Sequence, residues 1–162
     1  MRVRPCGLRT RALPAYAHAV AMTDEIPKLL PPDQMPPIQD QASLEHRWRA
    51  MMGELGFAAP QLWVLFIGPD GVSVGGLEIK EMPASCTDED ITALRDLHEH
   101  FSGLTYAFLF ARPGQRARTD GDMCWARGLA RLTHELGSAW PVHLANDFEL
   151  TVVAPDDLAV AS

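Results

Sequence analysis

The stretch LTYAFLFARPGQRARTDGD, residues 104–122, decides the fold of this chain. It opens with an apolar run of strand length, Leu104 to Ala111, which is typical of a central strand buried on both faces. A polar loop from Arg112 to Arg118 follows, and Thr119 to Asp122 carries the capping-box pattern with which helices begin. The stretch therefore predicts a buried strand that leads through a loop into a helix, a unit from which α/β domains are built.

A second strand-length apolar run lies upstream, from Leu62 to Ile67. It is too short for a lone helix and fits a strand that is covered on both faces. Pro69 to Gly71 is a turn signal, so Val72 to Ile79 is predicted as the second arm of a hairpin. Gly75 and Gly76 within that arm indicate a bulge.

Three helices are predicted from apolar residues that recur at helical spacing, each bounded by capping residues. The first begins at Asp40 or Ser43, ends at Gly56 and buries Leu44, Trp48, Met51 and Leu55. The second begins with the capping box Thr87–Asp90, ends at Gly103 and buries Ile91, Leu94, Leu97 and Phe101. The third begins at Thr119, ends at Gly137 and buries Met123, Ala126, Leu129, Leu132 and Leu136.

A closing hairpin completes the order of elements as α-β-β-α-β-α-β-β. Its arms are Pro141–Ala145 and Phe148–Ala154, joined at Asn146 and Asp147. In this order, strand–helix–strand units alternate with hairpins. The order therefore predicts an α/β (α+β) class with a mixed sheet flanked by helices. We expect one such domain over residues 40–158.

Residues 1–38 are predicted to be a disordered leader rich in arginine and proline. Pro14, His18 and the scattered arginines Arg2, Arg4, Arg9 and Arg11 leave no apolar core of adequate length for an export signal. Five prolines then fall within eleven residues: Pro27, Pro31, Pro32, Pro36 and Pro37. Met22 or Met35 is a possible true start. No apolar run approaches the roughly 20 residues that span a bilayer, so no membrane segment is expected.

Charge and cysteine content narrow the class of protein. The chain of 162 residues has a formal charge of -7, and four of its 14 basic residues lie in the acid-free segment 1–22. The remainder carries about -11, which argues against general nucleic-acid binding. Cys6, Cys86 and Cys124 form no ligand motif, so we expect reduced thiols in a cytoplasmic protein, with Cys124 buried and inert.

The strongest candidate site is an anion-binding loop after the buried strand. Arg112, Arg116 and Arg118 crowd into it just before Thr119, at a helix N-terminus that attracts anions. The alternative is a set of surface arginines that balance Asp120, Asp122 and neighbouring acids. His98 and His100 point to different helix faces and cannot easily share one metal ion, and His143 is expected to be a hydrogen-bonded core or edge residue. We predict no catalytic residue, metal ligand or cofactor.

Three segments in the second half of the chain resemble a known family. Phe110–Gly114 stands at the loop after the strand, Thr119–Asp122 opens the next helix, and His143–Asp147 covers a short strand and its turn. This order resembles the JAB/MPN metalloprotease fold, closest to its RadC-type branch, over residues 60–154. In that family the loop carries His-x-His-Pro-Ser-Gly followed by Ser-x-x-Asp, which bind zinc beside a glutamate base. The resemblance implies a three-layer JAB/cytidine-deaminase-like architecture.

The zinc-binding half of the family motif is missing in this chain. Phe110 and Arg112 replace the two histidines, Gln61 stands near the position of the base, and only Asp122 matches a ligand type. A catalytic zinc needs about three protein ligands. The resemblance therefore implies a metal-free, non-catalytic member that binds or scaffolds a protein partner or a small anionic ligand. The Ala/Arg/Asp-rich composition is of an actinobacterial type.

Two further hypotheses stay open. The first is a small enzyme or regulator that binds an anionic metabolite, phosphorylated or carboxylated, at the loop from Arg112 to Thr119. The second is a regulatory partner whose acidic face, from Glu78 to Asp90, docks a basic protein.

Overall fold

Five strands and four α-helices make up residues 25–159, the part of the chain that this computed structural model describes. The strands are β1 (Gln61–Ile67), β2 (Ser73–Ile79), β3 (Thr105–Ala111), β4 (His143–Ala145) and β5 (Leu150–Val152). The helices are α1 (Gln41–Met52), α2 (Asp88–His98), α3 (Asp120–Glu135) and α4 (Pro155–Ala159), preceded by a 3-10 turn at Pro32–Gln34. None of the helices within the described range combines the length and the apolarity needed to cross a bilayer.

The strands form one mixed sheet in the order β2-β1-β3-β4-β5. β1 runs antiparallel to both of its neighbours, β2 and β3. β3 and β4 are parallel, with Leu109 opposite His143, and α3 is the crossover that joins them. β5 returns antiparallel to β4, which confirms the closing hairpin. The predicted α/β class with a mixed sheet is confirmed.

Helices cover both faces of the sheet, which gives three layers. On one face, Leu44 and Trp48 of α1 pack against Leu65 and Ile67 of β1 in one buried cluster. On the other face, the alternate β1 residues, Leu62, Val64 and Phe66, pack with residues of α2 and α3. Apolar side chains on both faces of β1 are therefore buried, which confirms the interpretation of the continuous apolar run.

The predicted helix starts are confirmed, because each is fixed by a local capping box. Asp40 and Ser43 together form the capping box of α1. The Asp40 carboxylate accepts the Ser43 N–H at 2.8 Å, and the Ser43 hydroxyl accepts the Asp40 N–H at 3.0 Å. The same reciprocal bonds begin α2 and α3. Each box satisfies N–H groups that the first helical turn leaves without partners.

The predicted helix ends are wrong for α1 and α2. α1 stops at Met52, because Gly53 takes a left-handed conformation with φ of 67° three residues before Gly56. α2 stops at His98, where shorter-range bonds such as Phe101 N–H to His98 O tighten the chain. Phe101 thus lies outside the helix, 39% exposed, and stacks on Phe66 with ring centroids 4.7 Å apart.

Two smaller features also differ from the sequence predictions. Phe66 pairs with Gly75 and Ile67 pairs with Ser73, so Val74 is the extra residue of the bulge rather than the glycine pair. α4 was not predicted, because five residues carry too few apolar positions to show a helical period.

Packed structure begins before the predicted boundary at residue 40. Ile38 is 3% exposed, belongs to the α1 side of the core, and donates its N–H to Gly71 O at 2.8 Å. Arg47 of α1 donates through Nη2 to Pro36 O at 2.9 Å. These contacts attach the residues just before α1 to the domain. Residues 1–24, which make up most of the predicted leader, lie outside the described residues.

Candidate functional site

The predicted anion loop follows β3, and its first residue, Arg112, is bound from within the chain. Arg112 Nε donates to Asp122 Oδ1 and Oδ2 at 2.7 and 2.9 Å, and Nη2 donates to Asp122 Oδ2 at 2.7 Å. The remaining bonds go to the backbone of the loop: Nη2 to Ala117 O at 2.8 Å, and Nη1 to Pro113 O and Gln115 O at 3.1 Å. Every guanidinium nitrogen therefore already has an acceptor.

Asp122 connects this loop to the start of α3. Its Oδ2 also accepts the Thr119 N–H at 2.8 Å, so one nearly buried carboxylate holds both the arginine and the helix cap. Hydrogen bonds from Arg112 to Asp122 raise the pKa of Arg112 above its ordinary value. A two-pronged, charge-assisted pair of this kind fixes geometry more firmly than neutral hydrogen bonds do.

The other predicted anion ligands also have partners. Arg116 lies over the Phe148 ring, 5.5 Å from its centroid, and 3.7 Å from a Glu149 oxygen. Arg118 donates to Asp157 Oδ2 at 2.9 Å and to a β5 carbonyl at 3.0 Å. Thr119 is the N-cap of α3. The structure brings the four residues to one loop, but their contacts favour the alternative, arginines that balance neighbouring acids.

Asp147 is a structural residue of this loop region that sequence reasoning placed only in a turn. Its carboxylate accepts the Gly114 N–H at 2.7 Å and the Phe57 N–H at 2.9 Å. These two backbone hydrogen bonds lower the pKa of Asp147 below its ordinary value. Its partners lie 33 and 90 residues away along the chain, so no local pattern signals them.

A cavity of about 370 Å³ adjoins the loop. Its wall is mostly apolar and includes Pro60, Phe110, Arg112 and Thr119, and Asp120 is the one carboxylate among its described lining residues. Phe110, which stands where the resemblance implies a histidine ligand, stacks on Trp125 with ring centroids 5.3 Å apart. The cavity therefore offers an apolar wall and no acid–base pair.

The histidines do not form a metal site in the described structure. His98 lies edge-on to Tyr106, whereas His100 Nδ1 is 3.2 Å from Asp96 O, so the two rings have separate partners. His143 is fully buried, with Nε2 at 3.4 Å from Glu45 Oε1, and burial lowers its pKa. This confirms the prediction of a hydrogen-bonded core histidine. Within residues 25–159, no group of three or more His, Cys, Asp or Glu side chains is arranged to hold a metal ion.

A larger cavity, of about 860 Å³, lies elsewhere, beside the start of α2 and along α3. Cys86 and Cys124 both line it, and their Sγ atoms are 3.0 Å apart. Cys124 is half-buried rather than fully buried, so the prediction of a buried thiol is wrong. Sequence reasoning missed the pair because 38 residues separate the two cysteines. Cys6 lies outside the described residues.

Comparison with known proteins assigns this chain to no family. No protein-family model matches the chain, and no curated protein matches it in sequence. The features that bear on function are therefore the loop, the two cavities and the surface charges.

Proposed function

We propose that this chain is a non-catalytic JAB-like domain that binds a protein partner in the cytoplasm. The observation that carries the proposal is the ion pair between Arg112 and Asp122. At the loop where the family resemblance implies zinc ligands, a guanidinium lies 2.7 Å from the carboxylate that would bind the metal. The arginine thus supplies the positive charge that a zinc ion would supply in a catalytic member.

Zinc chemistry is disfavoured by both the ligand set and the charge at this loop. A catalytic zinc needs about three protein ligands, whereas Phe110 and Arg112 offer no lone pair to a metal. The fixed guanidinium would also repel a second cation from Asp122. A domain that keeps this fold without the ligands is suited to binding rather than to hydrolysis.

The chemistry of the partner is indicated by the acidic segment, residues 78–90. It contains Glu78, Glu81, Asp88, Glu89 and Asp90, all exposed except the half-buried Asp90, against one lysine. Next to it, Val72 and Val74 are 40% and 61% exposed at the sheet edge that β2 forms. A basic protein with some apolar surface would complement this combination of charge and exposed valine.

The catalytic half of the proposal is tested by metal content and hydrolysis. We expect the purified full-length chain, dialysed against zinc and then against buffer, to retain far less than one zinc per chain. We also expect no cleavage of isopeptide-linked substrates. Stoichiometric zinc together with isopeptidase activity would overturn the proposal.

The binding half is tested by affinity capture with matched charge reversals. Glu78→Lys with Glu81→Lys is compared with Asp33→Lys and Glu99→Lys, which reverse two exposed acids outside the acidic segment. We expect the first pair to lose a protein that the wild type and the control pair both capture, and we expect high salt to weaken that capture. Equal capture by all three chains would contradict a role for the acidic segment.

A second candidate function is a regulator or small enzyme that binds an anionic metabolite beside Arg112. The cavity of about 370 Å³ that Arg112 and Thr119 line is the observation in its favour. Isothermal titration with nucleotides and inorganic phosphate tests it. Binding heat that Arg112→Ala abolishes, while circular dichroism shows the variant still folded at the titration temperature, would support this candidate over the protein-binding domain.

A further inference from the structure

Cys86 and Cys124 are held in a reciprocal arrangement in the wall of the cavity of about 860 Å³. Cys86 immediately precedes the N-cap of α2, and Cys124 lies near the start of α3. Their sulfur atoms are 3.0 Å apart, and each sulfur is also within 3.2 Å of the other residue's carbonyl oxygen. A disulfide bond measures about 2.05 Å, so a movement of about 1 Å joins the two sulfurs.

Two glycines of α3 allow this close approach. A Cβ at Gly128 would lie 3.3 Å from Cys86 Sγ and 2.8 Å from Ile91 Cδ1. A Cβ at Gly121 would overlap the carbonyl oxygen of Ala84, two residues before Cys86. α3 thus lies against the Ala84 backbone at Gly121 and against the side chains of Ile91 and Cys86 at Gly128.

The two thiols differ in acidity. The hydrogen bond from Cys86 and a second from Ser85 lower the pKa of Cys124, and the charge of Arg127 acts in the same direction. Burial and the neighbouring Cys124 raise the pKa of Cys86 to about 12. Cys124 therefore ionises first, and the thiolate is the reactive form of cysteine.

The cavity beside the thiols is large enough for a small molecule and carries donors for an anion. Its described lining includes Arg127, Arg131 and His134, with Asp88 as the one carboxylate, 3.7 Å from Arg131. Arg127 Nε is buried and has no hydrogen-bond partner among the described residues. Arginine side chains bind carboxylates through charge-assisted hydrogen bonds, so the two arginines of this lining favour an anionic ligand.

We propose that Cys86 and Cys124 form a dithiol site that undergoes thiol–disulfide exchange with a low-molecular-weight disulfide bearing carboxylates. The Cys124 thiolate attacks one sulfur of the disulfide; the S–S bond breaks, and one thiolate leaves and takes a proton from solvent. Cys86 then loses its proton and attacks Sγ of the mixed disulfide, which releases the second thiol. The protein gains one intramolecular disulfide, and the small disulfide is reduced to two thiols.

The test uses the reduced full-length chain, glutathione disulfide as the probe, and peptide mapping by mass spectrometry. We expect a linked peptide that contains Cys86 and Cys124, formed equally in wild type and in Cys6→Ser. In Cys86→Ser, we expect the reaction to stop at a mixed disulfide between glutathione and Cys124. We expect Cys124→Ser to react at least about tenfold more slowly, because a thiol of high pKa is hardly ionised at neutral pH.

The role of the arginines is tested with two disulfides of opposite charge. Arg131→Gln is compared with Arg116→Gln, since both arginine side chains are 66% exposed and only Arg131 lines this cavity. We expect Arg131→Gln to slow the reaction with anionic glutathione disulfide severalfold relative to cationic cystamine. Arg116→Gln should leave that ratio unchanged.

Three results would overturn the proposal. One is a wild-type chain that forms no Cys86–Cys124 link with excess glutathione disulfide, while its urea-unfolded form does. Another is linkage through Cys6 in preference to the pair. The third is equal reactivity of both cysteines in the single-serine variants. The mapping of wild type needs no variant, so a misfolded variant would not affect the first two readouts.

Discussion

Arg112 and Asp122 form a two-pronged ion pair, with Nε to Oδ1 and Nη2 to Oδ2 both at 2.7 Å, across the loop that joins β3 to α3. The Arg112 side chain is 13% exposed and that of Asp122 is 5% exposed. Both charges have thus largely lost their contact with water and depend on each other. This pair fixes the loop that the family resemblance assigns to zinc.

Removing either partner of this pair should destabilise the domain strongly. We expect Asp122→Ala to lower the free energy of unfolding by about 3–5 kcal/mol, because a nearly buried guanidinium is left without its counter-charge. The double change Arg112→Met with Asp122→Leu should cost less than the sum of the single changes. Urea denaturation measures Asp122→Ala, the two single changes Arg112→Met and Asp122→Leu, and the double variant. Arg95→Met, which breaks the exposed pair with Glu135, is the control and should cost about 1 kcal/mol or less.

Gly121 and Gly128 in α3 should respond differently to alanine. At Gly121 the new methyl would overlap a backbone carbonyl, whereas at Gly128 it would meet the flexible end of the Ile91 side chain. Alanine is otherwise favoured over glycine in a helix by about 1 kcal/mol. We therefore expect Gly121→Ala to lower the thermal midpoint clearly more than Gly128→Ala. Equal midpoints for the two variants would contradict the close approach of the α3 start to Ala84.

His143 should make stability fall below neutral pH. Burial lowers its pKa in the folded state, so below about pH 6.5 the unfolded chain binds more protons than the folded one. The free energy of unfolding should therefore decrease as pH falls from 7.5 to 5.5, by at most about 1.4 kcal/mol per pH unit from this group. Denaturant titrations at several pH values test this.

The control for the pH effect is a second histidine. His143→Leu should flatten the decrease in stability below pH 6.5, whereas His134→Gln should leave it unchanged, because His134 is exposed. A pH slope that is the same in wild type and in His143→Leu would show that another group causes it.

Ile38 should contribute to stability although it precedes the first helix. Its side chain is 3% exposed, so Ile38→Ala should cost about 2–5 kcal/mol, the usual range for a buried isoleucine. Val74→Ala, at a valine that is 61% exposed, should change stability by about 0.5 kcal/mol or less. A chain that begins at residue 39 should also melt lower than one that begins at residue 25. Equal melting of these two chains would contradict the packed role of Ile38.

Local patterns predicted the starts of elements better than their ends. The capping boxes at Thr87 and Thr119 join residues three apart, so they are visible in sequence and are confirmed in the structure. The end of α1 was misplaced because two glycines, Gly53 and Gly56, follow within four residues of Met52, and both have a positive φ. Which of them ends the helix depends on the packing of the residues between them.

The candidate site follows the same pattern: groupings of residues close in sequence were predicted, whereas contacts between distant residues were not. Arg112, Arg116, Arg118 and Thr119 were correctly grouped on one loop, because they are close in sequence. The partners of two of them could not be predicted, because Asp157 lies 39 residues after Arg118 and Glu149 lies 33 residues after Arg116. Those distances in sequence are closed only by the β4–β5 hairpin and by α4.

The sequence by itself determined the class of this domain, since apolar runs, helical periods and capping boxes all act over a few residues. Only the tertiary structure decided that β3 pairs in parallel with β4, that α2 and α3 start side by side, and that Cys86 meets Cys124. The physical reason is that a strand or helix is specified by neighbours within about two turns, whereas strand order and helix contacts depend on how whole faces bury one another. The stretch from residue 104 to residue 122 fixed a strand, a loop, a helix and the acceptors of Arg112; the fold around it brought Asp147 to the Gly114 N–H and Asp157 to Arg118.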